Sequence, residues 1–244
     1  MSRSRQGTLI SFRPDIKVVD CTLRDGGLVN NFAFTDEFVK DLYLANMKAG
    51  VDYMEFGYKA SSEIFNPDNF GKWKFCHEKD IRNIVGDNKT DMKISVMADV
   101  GRTDYKKDIL NRKDSVIDLI RVATYINTIP AAIEMLEDAK KKGYETTVNI
   151  MAVSKVNDED LDGGLELLAQ SSVDVIYLVD SFGAFYPEQI ERLCDKYLNV
   201  AAKYNKKIGI HAHNNQQLAF ANTIEALSRG ASYLDATVCG MGRG

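Results

Sequence analysis

Long apolar runs are missing from this sequence. None approaches the ~20 residues that a bilayer crossing needs, and the basic opening "MSRSRQGTLISF" lacks the apolar stretch of a secretory signal. Cysteine is scarce and scattered. Cys21, Cys76, Cys194 and Cys239 form neither a CxxC pair nor a zinc-ribbon spacing, which suits reduced thiols and a cytoplasmic setting. Only four prolines occur, so no Pro-rich linker divides the chain. Excess charge is absent too: the formal net charge of −4 gives no general pull toward nucleic acid or an anionic membrane. Neither GxGxxG nor a P-loop follows the first apolar run, which argues against an open dinucleotide-binding sheet. Histidine is rare, yet two of the three stand in "IGIHAHNN".

What is present is a steady alternation. Short runs read as strands: KVVDC (17–21), YMEFG (53–57), ISVMA (94–98), DLIRV (118–122), TVNIM (147–151), VIYLV (175–179), IGIHAH (208–213) and YLDATV (233–238). Most are continuously apolar, as strands covered on both faces are. Amphipathic segments with recognisable ends lie between them. Thr35 caps DEFVKDLYLANMKA and Gly50 stops it; Pro130 opens a helix over 130–142; Pro187 opens another; a fourth covers 216–229. A basic helix end, a glycine and a strand recur in KAGVDYMEF, KKGYETTVNI and SRGASYLDA. This pattern predicts an α/β fold, a (β/α)8 TIM barrel, over residues 1–244. The numbering stops just after the eighth strand, so the final helix is expected to be lacking. The chain then reads as the N-terminal part of a longer protein with an additional C-terminal domain. An apolar surface is expected where strands 8 and 1 meet, inviting a homodimer.

In such a barrel, chemistry gathers at the C-terminal strand ends. His211 and His213, alternate residues of one strand, share a face. Strand 1 ends in DCTLRDGG, and strands 1 and 7 are both odd-numbered, so Asp25 can face the imidazoles. One carboxylate and two imidazoles suit an octahedral divalent ion such as Mn²⁺ or Mg²⁺, with Co²⁺, Fe²⁺ or Zn²⁺ also open. The lack of a thiolate beside them speaks against structural zinc. Arg24 followed by Asp25 could instead be a salt bridge at the barrel mouth.

DCTLRDGG with a downstream HAHNN and a late GMGRG resembles the DRE-TIM metallolyases, across nearly the whole chain. That superfamily contains hydroxymethylglutaryl-CoA lyase, isopropylmalate and citramalate synthases, and 4-hydroxy-2-oxovalerate aldolase. The resemblance implies that Asp25, His211 and His213 bind the metal and that Arg24 is catalytic, contacting the substrate carbonyl or enolate oxygen. Ser181 matches a strand-6 position that contacts substrate in the aldolase branch; otherwise it caps the following helix. Glu55 either faces the metal and the substrate or pairs with Lys59. The sequence departs from the pattern at Leu28, where the aldolases carry a histidine base, so Asp180, Tyr58 or a metal-bound hydroxide would have to replace it. A further Asn ligand usually lies beyond the glycine-rich loop, past Gly244.

The resemblance implies a metal-dependent carbon–carbon lyase, an aldolase acting on a small 2-oxo acid. The alternatives are a Claisen-type acyltransferase, a Schiff-base aldolase using Lys59 or Lys155, a phosphate-binding barrel with GMGRG as its cradle, and a non-catalytic metal-binding homologue.

Overall fold

A computed structural model describes residues 13–243. Eight parallel strands close into a barrel in chain order: β1 (Lys17–Asp20), β2 (Tyr53–Tyr58), β3 (Lys93–Asp99), β4 (Leu119–Thr124), β5 (Glu145–Ile150), β6 (Val175–Asp180), β7 (Lys207–Ala212) and β8 (Tyr233–Ala236). The ring is sealed by β1 pairing with β8, Val19 opposite Asp235. Every predicted strand is present within a few residues. No helix of the described residues is long and apolar enough to cross a membrane.

The helices are α1 (Thr22–Asn30), α2 (Asp36–Ala49), α3 (Glu78–Val85), α4 (Tyr105–Asp108), α5 (Ile129–Lys141), α6 (Asp158–Gln170), α7 (Pro187–Lys203) and α8 (Ala219–Arg229). Capping explains several boundaries. The Thr35 hydroxyl accepts from Phe38 N at 3.2 Å, and Gly50 ends α2 in the left-handed conformation. α6 is capped by the Asn157 side-chain Oδ1, which accepts from Asp160 N at 2.9 Å.

α1 was not foreseen, because it carries Gly26 and Gly27, poor helix formers. Packing overrides propensity here. A Cβ on Gly27 would run into the Phe32 ring, which lies flat against the helix. Gly57 serves a similar purpose in β2. It has φ of +154°, a side chain there would strike the Trp73 carbonyl, and the β2–β3 register shifts between Glu55 and Tyr58.

Beyond β8 the described residues form only a short 3-10 turn, Val238–Gly240. Phe220 of α8 is 80% exposed. With Ile224, Val18 and Leu234 it lines a cavity of about 490 Å³ beside β8 and β1, which also takes in Asp25, His211, His213 and Asp235.

Candidate metal centre and active site

Three candidate ligands come from two elements. α1 begins directly after β1, so Arg24 and Asp25 lie in its first turn at the barrel mouth. Asp20 fixes that start: its carboxylate accepts from Thr22 Oγ1 at 2.5 Å and Asn46 Nδ2 at 2.9 Å. His211 lies near the end of β7, with His213 just beyond it on the same face. One ligand atom each from Asp25, His211 and His213 lie within 4.8 Å of one another, and all three residues are buried. His213 Nε2 stands 3.7 Å from Asp25 Oδ1.

Hydrogen bonds select the tautomer of each imidazole. His213 Nδ1 lies 2.9 Å from the Asp180 carbonyl, which can only accept, so Nδ1 carries the proton. His211 Nδ1 lies 2.8 Å from Asp235 Oδ2 and donates likewise. Both Nε2 atoms are buried without a hydrogen-bond partner among the described residues. Burial also holds the His211 imidazole below its ordinary value, favouring the neutral form, although Asp235 pulls the other way. Two buried lone pairs and a carboxylate thus converge on one point, which is the donor set a divalent ion requires.

Beneath this point lies a closed ring of charges. Arg24 Nη1 meets Asp25 Oδ1 at 2.8 Å and Arg24 Nε meets Glu55 Oε2 at 2.8 Å. Glu55 Oε2 also accepts from Arg121 Nη1 at 3.0 Å, and Arg121 Nη2 donates to Asp235 Oδ2 at 2.6 Å. Asp235 holds His211, and Arg24 Nη2 approaches the same His211 Nδ1 at 3.5 Å. Arg121 rests 4.5 Å over the Tyr177 ring. Burial alone would raise the Asp25 and Asp235 carboxyls. The Arg24 guanidinium nevertheless holds Asp25 well below the usual carboxylate range, and Arg121 does the same for Asp235. So the Arg24–Asp25 pair is a salt bridge and also part of the ligand cluster.

Arg121 and Asp235 were not singled out from the sequence, although both sit inside apolar strands. A charge within a run otherwise buried on both faces was the available signal. Glu55 faces the interior but pairs with the two arginines rather than with Lys59. Lys59 Nζ is buried and donates to the Cys76 carbonyl at 2.7 Å, so it is committed to the backbone. Ser181 does not cap α7, whose cap is Tyr186; its hydroxyl accepts from Ala152 N at 2.9 Å. Asp180 is ill placed as a base, since its oxygens accept from Ala184 N and Phe185 N at 3.0 and 3.2 Å. A thiol does lie nearby, contrary to expectation: Cys21 clusters with His211 and Asp235. Burial pushes that thiol well above its ordinary value, and Arg121 donates to its sulfur at 3.2 Å. Leu28 is partly buried and packs against the main core.

An eight-stranded barrel with an Asp–His–His cluster and an arginine at its C-terminal mouth defines a metal-binding TIM-barrel class. Within that class the HMGL-like family model matches residues 15–244, and the chain belongs to this family. It is 29% identical over 237 residues to the 4-hydroxy-2-oxovalerate aldolase of Geobacillus genomosp. 3, covering 94% of this chain and 66% of that protein. It is 26% identical over 231 residues to the oxaloacetate decarboxylase of Mycobacterium tuberculosis, covering 93% and 65%. The chain thus spans just under two thirds of the length of these curated relatives. Among solved structures, the N-terminal domain of an aldolase candidate from Bacteroides vulgatus superposes with a TM-score of 0.81 at 30% identity, covering 94% of this chain and 75% of that one.

Proposed function

We propose that the chain carries the catalytic barrel of a divalent-metal-dependent carbon–carbon lyase, an aldolase acting on a 2-oxo acid. The observation that carries this reading is the convergence of two unpartnered imidazole nitrogens, a carboxylate and a guanidinium on one buried point. Asp25, His211 and His213 would hold the ion, with Mn²⁺ or Mg²⁺ preferred because the set includes a hard carboxylate and leaves positions for oxygen ligands. When bound, the ion supplies Lewis-acid polarisation of the substrate carbonyl.

The remaining work falls to the chain itself. Arg24 is fixed from both sides by Asp25 and Glu55, and it cannot lose its charge. In this reading its remaining N–H donors would meet the oxygen on which negative charge grows as the adjacent carbon becomes an enolate. Preorganised donors of this kind need no rearrangement as the charge develops. In this reading Ser181, which follows the residue whose carbonyl orients His213, contacts the substrate. Names and identities of the relatives support this reading of substrate class.

A second reading is favoured by Leu28. A decarboxylase forms the same enolate by releasing CO₂ and needs no base to take a proton, so an apolar residue there is tolerable. The oxaloacetate decarboxylase relative fits that alternative.

The test is deuterium uptake into the methyl group of pyruvate in heavy water with Mn²⁺. Exchange above the rate of free metal is expected. Its absence would overturn the aldolase reading; oxaloacetate decarboxylation without exchange would select the second.

A further inference from the structure

The barrel mouth has an open side next to the candidate centre. A cleft of about 840 Å³ spreads over the C-terminal ends of β4 to β7. It touches the centre at three places. Arg243 on its rim donates its backbone N–H to Asp25 Oδ2 at 3.1 Å. Asn215 lies two residues beyond His213, and Ser181 follows Asp180, whose carbonyl orients His213. A short aliphatic 2-oxo acid would occupy only a corner of this space, which belongs to the size range of pockets enclosing much larger ligands.

The lining has a definite chemistry. No Asp or Glu faces the cleft among the described residues, although acidic residues outnumber basic ones in the chain, 35 to 31. Two cations do face it, Lys155 and Arg243, and neither side chain meets a carboxylate among the described residues. Lys155 is exposed, with Nζ 4.7 Å from the centre of the Phe182 ring. Phe182 is itself 45% exposed, so a bare aromatic face meets the ammonium, and Tyr125, 48% exposed, lines the same cleft. Asn127 and Asn215 add amide donors and acceptors. Two cations lining one cleft without a carboxylate give it a positive potential that favours an anion. Aromatic faces with amides at their edges suit a carbon chain that bears hydroxyls.

We propose that this cleft is the subsite for the distal part of the substrate, beyond the bond that breaks. That part is a hydroxylated chain ending in an anionic group, a phosphate or a second carboxylate. Lys155 and Arg243 hold the anion, and the two asparagines hold the hydroxyls. This rests on the aldolase reading. In the condensing direction, the pyruvate methyl carbon gives up a proton and forms a bond to the aldehyde carbon. The aldehyde π pair moves to its oxygen, which takes a proton; cleavage is the reverse, and nothing else is consumed.

Two measurements separate the subsite from the chemistry. The first needs no turnover: calorimetric titration of the chelator-treated chain with 3-phosphoglycerate. Saturable binding is expected, weakened about tenfold or more in Lys155→Met and largely kept in Lys155→Arg, as loss of a charge-assisted hydrogen bond implies. No binding, or binding indifferent to Lys155→Met, overturns the subsite. The second compares kcat/KM for glyceraldehyde 3-phosphate and acetaldehyde as partners of pyruvate with Mn²⁺. A preference of about tenfold or more for the phosphorylated aldehyde is expected, falling in Lys155→Met. Equal values overturn the proposal. If calorimetry succeeds while pyruvate exchanges no deuterium, the anion subsite stands and the aldolase reading fails.

Discussion

Two lysines lie over aromatic rings at the barrel mouth, and their surroundings differ. Lys74 Nζ is enclosed by Phe65 at 4.3 Å, Tyr58 at 4.6 Å, Phe32 at 5.2 Å and Phe70 at 5.6 Å, and the residue is 6% exposed. Lys155 has Phe182 alone among its aromatic partners and stays open to solvent. Burial lowers the Lys74 ammonium from its ordinary value, with Asp99 pulling the other way. A lysine boxed by four rings is held in place by them. It braces the loop after β2 against Phe32, and Phe32 packs on the helix that carries Arg24 and Asp25. A lysine on one ring presents its donors to whatever enters. So the rings above β1 to β3 hold the helix that carries Arg24 and Asp25 still, and the side above β4 to β7 is open to a ligand.

The sharpest test of the rigid side is Arg24→Ala, which removes its donors from the reacting oxygen. Deuterium uptake into pyruvate should fall by about 10²–10³-fold, the cost of losing one preorganised donor to a developing oxyanion. A loss below threefold would show that the guanidinium only closes the barrel. Next comes the point where the two sides meet. Mn²⁺ added to chelated protein should raise the melting temperature, by about 2.7 kcal/mol of linkage at a hundredfold excess over Kd. His211→Ala with His213→Ala should abolish the rise, and a rise that persists would move the ion elsewhere.

Acid should act with opposite signs on different buried carboxylates of the barrel. Asp235 and Asp25 have folded-state values below their unfolded ones, by their arginine partners. Their stabilising contribution is therefore full above the ordinary carboxylate value, about 3.9, and is lost as pH falls below it. Asp99, at the end of β3, is raised by burial and keeps an unpartnered Oδ1, so its ionised form costs stability at neutral pH. Asp235→Asn should flatten the acid limb of an unfolding curve measured without metal. Asp99→Asn should instead raise stability at pH 7. A matching response from the two variants would contradict the opposed environments.

The barrel was legible because its signals are local: apolar runs, caps and helix-ending glycines each declare one element. His211 and His213 were legible as a pair because strand alternation survives folding, and Asp25 joins them from the first turn of α1 at the same barrel mouth. α1 was hidden, since two glycines argue against helix until Phe32 is seen against Gly27 and Met241 against Gly26. Arg121 and Asp235 were hidden for a different reason. Each looks like an ordinary charge until the closed sheet brings them within 2.6 Å across β4 and β8. The cleft could not be read at all, because its lining comes from five separated loops.

Between the lysines themselves the expected difference is in stability. Lys74→Ala removes a stem packed among four rings and should cost about 2 kcal/mol in urea unfolding. Lys155→Ala, with one exposed ring to lean on, should stay within about 0.5 kcal/mol. Equal costs would dissolve the contrast.

The smallest effect is expected at Leu28→Ala. Leu28 follows Arg24 by four residues and Asp25 by three on α1, so it shares their helical face. That places it where a base could work, yet its side chain packs against the core instead of meeting a polar group. If the enolate oxygen is stabilised chiefly by Arg24 and the ion, removing this apolar side chain should change pyruvate exchange by less than about twofold, since it takes away neither donor nor proton acceptor. Leu28→His is the companion, because it adds a proton acceptor on the same face. A positioned base contributes about 10²–10⁴-fold where its geometry is right. A rise with Leu28→His and near-silence with Leu28→Ala would show that this helix holds the oxygen-stabilising half of an aldolase site without its base. A large loss with Leu28→Ala would mean that the leucine keeps water from the reacting carbon, and that the rigid side of the mouth works by exclusion as well as by charge.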